Sequence, residues 1–128
     1  MNVLLDTHTF LWFIGGSKHL SIRAREVIEA PSTQRYLSVA SLWEAAIKSS
    51  LGRLRLGRPV ADLVEFDVKG NGIELLGIEP AHLEALRYLP YHHRDPFDRL
   101  MIVQSQEEEL TLVSRDGVFG TYEVDVVW

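Results

Sequence analysis

Short segments rich in apolar residues, each too brief for a helix and most of them separated by amphipathic stretches, restrict the fold of this chain more than any other feature. They lie at residues 3–5, 36–37, 73–76, 110–113 and 124–127. The first lacks the alternation of a half-solvated strand, so it reads as a strand buried on both faces, as in parallel sheets. Between the runs, Ser21 caps a helix whose Ile22, Ala24, Val27 and Ile28 are spaced for one buried face, closed by residues 30–32. Ser38 or Ser41 opens a helix ending near Gly52, with Trp43, Ile47 and Leu51 at four-residue spacing and Glu44 and Lys48 on a different face. A further amphipathic helix runs from residues 57–59 through Leu63, Val64 and Phe66 to the turn signal Gly70-Asn71-Gly72. Pro80 opens a helix with Leu83, Leu86 and Leu89 inward, ended by Pro90; after a loop, Asp95 as cap and Pro96 at the first helical position start the next. Strands alternating with helices predict an α/β protein, with a largely parallel sheet of four to five strands flanked by helices on both faces. At 128 residues the chain is expected to form one domain, residues 1–128.

Composition narrows the function. No cysteine is present, which excludes disulfides and thiolate metal sites. No basic flank precedes an apolar leader, and no apolar run approaches the ~20 residues of a membrane span. A soluble, cytoplasmic protein without membrane contact is therefore expected. The net charge of -5 argues against a protein that coats nucleic acid, because phosphate contacts rely on Lys and Arg. It is compatible with an acidic site loaded with cations.

Four acids stand in comparable places. Asp6 ends the first strand, where Thr7 reads as the cap of a helix carrying Phe10, Leu11 and Phe13. Glu44 lies one or two turns into the helix after the second strand, Asp98 in the first turn of its helix, and Asp116 after the fourth strand. Each has a local explanation as well. Ser41 and Glu44 match a capping box, Asp98 suits the helix dipole, and Asp116-Gly117 is a common turn pair. Parallel strands, however, would bring three of these elements to one sheet edge, which the fourth approaches by a helix N-terminus, so the carboxylates are placed to converge where open α/β sheets bind ligands. Hard oxygen ligands of this kind suit Mg²⁺ or Mn²⁺, and such sites hydrolyse phosphodiesters. The remaining features carry less. His92 and His93 read as a polar loop pair, and His8, His19 and His82 show no ligand spacing. Glu107, Glu108 and Glu109 read as a solvated helix end. No phosphate-binding loop, dinucleotide fingerprint or nucleophile elbow occurs.

The segments V-L-L-D-T-H-T-F-L-W-F, L-S-V-A-S-L-W-E-A-A-I-K-S-S-L-G-R-L-R-L, H-H-R-D-P-F-D-R-L-M-I-V-Q-S and L-V-S-R-D-G-V-F resemble PIN-domain proteins, in particular the VapC-type ribonuclease toxins of prokaryotic toxin–antitoxin pairs. The likeness runs essentially over residues 3–127. It implies a PIN-like three-layer sandwich with acids gathered around Mg²⁺ or Mn²⁺, cutting single-stranded or loop regions of RNA. Asp6, Glu44, Asp98 and Asp116 match the family's acidic quartet. Asp98, which precedes an apolar helix, is favoured over Asp95 as the ligand, leaving Asp95 as the cap. Thr7 and Ser114 match small hydroxyl positions that hold metal-bound water or orient a carboxylate, with Ser114 standing where Thr is frequent. The resemblance also implies a homodimer and neutralisation by a cognate antitoxin.

The reading is thus a metal-dependent endoribonuclease, the toxin of such a pair. Its alternatives are an inactive PIN-like module that binds RNA or protein, and a phosphatase or receiver-like domain. A receiver would want paired acids after the first strand, where this chain has Asp6-Thr7-His8.

Overall fold

The computed structural model describes residues 1–128. Five strands, β1 (Asn2–Leu5), β2 (Gln34–Ser38), β3 (Ile73–Leu76), β4 (Thr111–Val113) and β5 (Val126–Val127), form one sheet in the order β3-β2-β1-β4-β5. Every neighbouring pair is parallel. Six helices connect them: α1 (Thr7–Ile14), α2 (Ile22–Glu29), α3 (Val39–Ser50), α4 (Val60–Asp62), α5 (Pro80–Leu86) and α6 (Pro96–Glu107). The expected parallel sandwich is what forms.

β1 lies at the centre and is buried on both faces. Val3 and Leu5 point into a core with Phe10, Ala24, Ile28 and Val113, while Leu4 points into a second core with Met101, Ile102, Leu112 and Phe119. Because β2 and β3 build outward on one side of β1 and β4 and β5 on the other, the direction of winding reverses between β1 and β4. In doubly wound sheets, the crevice at that point, beyond the carboxyl ends of the strands, is where ligands bind.

Several helices turn a different face inward than their spacing suggests. In α3 the four-residue apolar row faces outward, with Trp43 and Leu51 both 60% and Ile47 37% exposed, whereas Ala40, Ser41, Glu44 and Ala45 are buried. Small residues let α3 lie close to α1 and α6, so the polar pair Ser41 and Glu44 goes inward with them. In α2, Ala24 and Ile28 are buried but Ile22 is 79% exposed at the first helical position. The helix expected through Leu63, Val64 and Phe66 is one α-helical turn running into a π-helical stretch, Leu63–Val68. The wider turn brings Leu63 and Val68, five apart, onto the core and leaves Phe66 exposed. α5 ends at Leu86, with Leu83 exposed and His82 fully buried in its place. His82 Nδ1 accepts from the Glu79 N–H at 3.0 Å and Nε2 lies 3.0 Å from Glu108 Oε1, so Glu108 is a partner of the histidine and not only part of a solvated helix end.

The loop before α6 is held by Arg99, whose side chain is buried without a carboxylate partner. Its guanidinium donates to the carbonyls of Pro90 (2.8 Å) and Leu89 (3.1 Å) and lies 3.7 Å from the centre of the Tyr91 ring. Tyr122 closes the arrangement, donating to Pro90 O and accepting from the His93 N–H, both at 2.9 Å. Replacing Arg99 by Met strands these carbonyls, and a loss of about 2 kcal/mol is expected. Urea unfolding should show a lower midpoint with unchanged slope.

Candidate functional site

Asp6 stands where β1 ends, at the crevice between β1 and β4. Its backbone N–H donates to Val113 O (3.1 Å), extending the strand pairing by one residue before the chain turns into α1. Asp6, not Thr7, is the cap of that helix: Oδ1 accepts from the Thr7 N–H at 2.7 Å. This releases the Thr7 side chain, which turns inward, donates to Glu44 Oε1 at 2.7 Å and shares a hydrogen bond with Ser41 Oγ at 2.9 Å. Ser38, by accepting from the Ala40 N–H, is the cap of α3. Ser41 and Glu44 therefore form no capping box; both are drawn to Thr7.

The second carboxylate oxygen of Asp6 accepts from the Ser114 hydroxyl at 2.8 Å, and the same hydroxyl accepts from the Asp116 N–H at 3.0 Å. Ser114 is thereby a clasp between the acid after β1 and the turn after β4. Asp116 itself caps the short 3₁₀ helix Gly117–Thr121, accepting from the Val118 N–H, and its side chain remains exposed. Asp6 and Asp116 line one cavity of about 360 Å³ with His8, Trp12 and Arg115. Glu44 and Asp98 do not line it.

Asp98 enters from α6, whose cap is Asp95, accepting from the N–H groups of Phe97 and Asp98. His93 Nε2 lies 2.8 Å from Asp98 Oδ2, and Lys48 Nζ 2.8 Å from Glu44 Oε2. Two inner carboxylates thus carry a basic partner each. The spacing of Glu44 and Lys48 by one helical turn makes their pairing visible in the sequence. His93 had no such signal, since the loop held by Arg99 decides where its ring points.

The electrostatics tie three of the acids together. Burial pushes the Asp6 carboxyl above its ordinary range; the Ser114 hydroxyl and the Thr7 N–H pull it back, and the negative charge of Glu44 adds to the rise. Burial likewise pushes Asp98 up to about 6, against the opposing hydrogen bond from His93 and with added repulsion from Asp95 and Asp6. Asp6 thus feels Glu44, and Asp98 feels Asp6. The arrangement is nonetheless open: no three His, Asp or Glu side chains are grouped closely enough to hold one metal ion between them.

The fold is similar to that in the crystal structure of VapBC2 from Rickettsia felis bound to a DNA fragment from their promoter. The match has a TM-score of 0.70 at 13% identity and covers 99% of this chain and 98% of that one. No curated protein matches the sequence. The family model of the PIN domain matches residues 3–124, nearly the whole length, over the same strands that bring Asp6 and Asp116 to one crevice, and the chain therefore belongs to the PIN domain family.

Proposed function

We propose that this protein is a Mg²⁺- or Mn²⁺-dependent endoribonuclease, the VapC-like toxin of a toxin–antitoxin pair, acting through Asp6, Glu44, Asp98 and Asp116. The observation that carries the reading is the hydroxyl-linked chain Asp116–Ser114–Asp6 beside Thr7–Glu44, set at the reversal point of the sheet with Asp98 in the field of Asp6. The donor set fits a hard divalent cation, being oxygen only, and burial holds two of its carboxylates above their ordinary range, a penalty that a nearby cation would relieve. A cation drawn to these carboxylates, held directly by one or two of them and otherwise by water and substrate phosphate, would supply an activated water and charge stabilisation for the leaving oxygen. The chain's own residues have separate tasks. Ser114 and the Thr7 N–H fix the rotamer of Asp6, and Thr7 fixes that of Glu44. Lys48 balances charge on Glu44, and the His93 ring hydrogen-bonds Asp98.

A second reading, a catalytically silent PIN module that binds RNA or protein, is favoured by the absence of any three closely grouped ligands and by the pairing of Glu44 and Asp98 with basic side chains. Purified protein incubated with mixed cellular RNA and Mg²⁺, Mn²⁺ or chelator, followed by sequencing of new ends, separates the two. Metal-dependent ends support the nuclease; none in any condition supports the silent module.

The toxin part of the reading has its own expected result. No helix of the chain is long and apolar enough to cross a membrane, and the outward row Trp43, Ile47 and Leu51 offers apolar area for a cognate antitoxin or a second copy to cover. Expression of the wild-type chain should slow growth, and co-expression of a small protein encoded beside it should relieve the effect. Growth no slower than with the Asp6→Asn form would count against a toxin.

A further inference from the structure

The cavity beside Asp6 and Asp116 has a second wall made of rings and a cation. The Arg115 guanidinium lies 5.0 Å from the centre of the Trp12 ring. It makes no hydrogen bond or ion pair within the chain, although both carboxylates line the same cavity. The His8 ring stands 5.6 Å from that of Trp12, tilted by 40°. Behind it, Trp12 is braced by His19 at 5.3 Å and Trp128 at 5.9 Å, so the platform is held in place while His8 and Arg115 remain exposed.

An uncommitted guanidinium is unexpected beside two acids unless something else claims it. The chain carries a net charge of -5, so a polyanion approaching the acids needs local positive charge, and Arg offers its planar donors to phosphate in a forked geometry. Exposed aromatic and imidazole faces accept unstacked bases, which only single strands, loops and bulges present. A cavity of about 360 Å³ lies at the small end of ligand-sized clefts and suits one nucleotide.

We propose that this cavity seats one nucleotide of a single-stranded RNA next to the cleaved bond, with its phosphate on Arg115 and its base against the His8–Trp12 ring pair. The inference rests on the nuclease reading, since the seat shares Asp6 and Asp116 with it. It explains why Arg115 is held over Trp12 and not paired with Asp116. It also gives a role to the exposed His8 ring beside Trp12, a pairing that the core, against which Trp12 and Trp128 pack, does not require.

The test is equilibrium binding of a fluorescently labelled single-stranded RNA octamer of mixed sequence, by anisotropy, in Mg²⁺. The Asp98→Asn chain serves as background so that the probe survives. Arg115→Ala should weaken binding about tenfold and reduce the slope of log K against log salt by ~0.7, the loss of one phosphate contact to a single strand. Arg115→Lys should retain the slope with part of the affinity lost. His8→Ala should weaken binding about fivefold at unchanged slope, and a duplex of the same sequence should bind less tightly than the single strand. Both residues are exposed, and thermal melts will show the variants folded. Unchanged affinity and slope in Arg115→Ala, or equal binding of duplex and single strand, overturns the seat while leaving wild-type cleavage intact. A wild-type chain that neither binds nor cuts RNA overturns the nuclease reading and the seat together.

Discussion

Asp6→Asn and Asp98→Asn should each lower metal-dependent RNA cleavage on the order of 10³-fold or more, while the protein stays folded. A carboxylate that helps hold a catalytic cation underwrites several kcal/mol of transition-state stabilisation, and each 1.36 kcal/mol is tenfold in rate. Folding should survive because the structural duties of both residues are amide-compatible. Asn is as good a helix cap as Asp, so the contact from the Thr7 N–H can persist at residue 6, and an Asn oxygen at residue 98 can still accept from His93 Nε2. Asp95→Ala is the contrast: by removing the cap of α6 it should cost about 1 kcal/mol of stability but leave cleavage within a fewfold of wild type. Cleavage by Asp98→Asn at the wild-type rate, in a preparation free of contaminating nuclease, would remove Asp98 from the site.

The sheet was legible because β1 is buried on both faces and so reads as a continuous apolar run, and because Asp95-Pro96, Gly72 and Ser21 are local signals whose meaning does not depend on the rest of the chain. Asp6 and Asp116 could be placed at one edge for the same reason, since parallel strands fix which end is shared. Packing decided the remainder. Trp43, Ile47 and Leu51 form a regular apolar row, yet the side of α3 that meets the molecule is the one with small residues, where the helix can approach closely and where Ser41 and Glu44 reach Thr7. Periodicity identifies a stripe but does not say whether a sheet or a partner covers it.

The same distinction separates the residues found from those missed. Thr7 and Ser114 were legible only through the family resemblance, since their hydrogen bonds to Glu44 and Asp6 join residues 37 and 108 apart in the chain. His93 on Asp98 depends on the loop pinned by Arg99 and Tyr122, a contact across 29 residues that no short pattern encodes. Arg115 over Trp12 is likewise a long-range pairing, invisible until β1 and β4 lie side by side.

The metal-free protein should lose stability as pH rises from about 4 to about 6, and Asp98→Asn should abolish most of that loss. The carboxyl of Asp98 is raised from 3.8 to about 6 by burial and by its acidic neighbours. Below pH 4 it is protonated in both folded and unfolded chains and contributes nothing. Between the two values the unfolded chain releases its proton while the folded chain retains it, so folding becomes less favourable with pH. Above 6 both are ionised and the penalty is constant, on the order of 3 kcal/mol. Asp6, raised for the same reason, adds to the slope in the same direction. At pH 8 with chelator, Asp98→Asn should therefore be more stable than wild type, less the ~0.3 to 1 kcal/mol that a first-turn carboxylate gives through the helix dipole. Mg²⁺ should reverse the order, stabilising wild type by about 2.7 kcal/mol at a hundredfold excess over Kd and the variant much less. If Asp98 served only the helix dipole, the signs would be opposite: the variant would be weaker at every pH above 4, with the Mg²⁺ response of wild type. Thermal unfolding of both proteins at pH 4.5, 6 and 8, with chelator and with Mg²⁺, reads these signs without requiring any knowledge of the RNA.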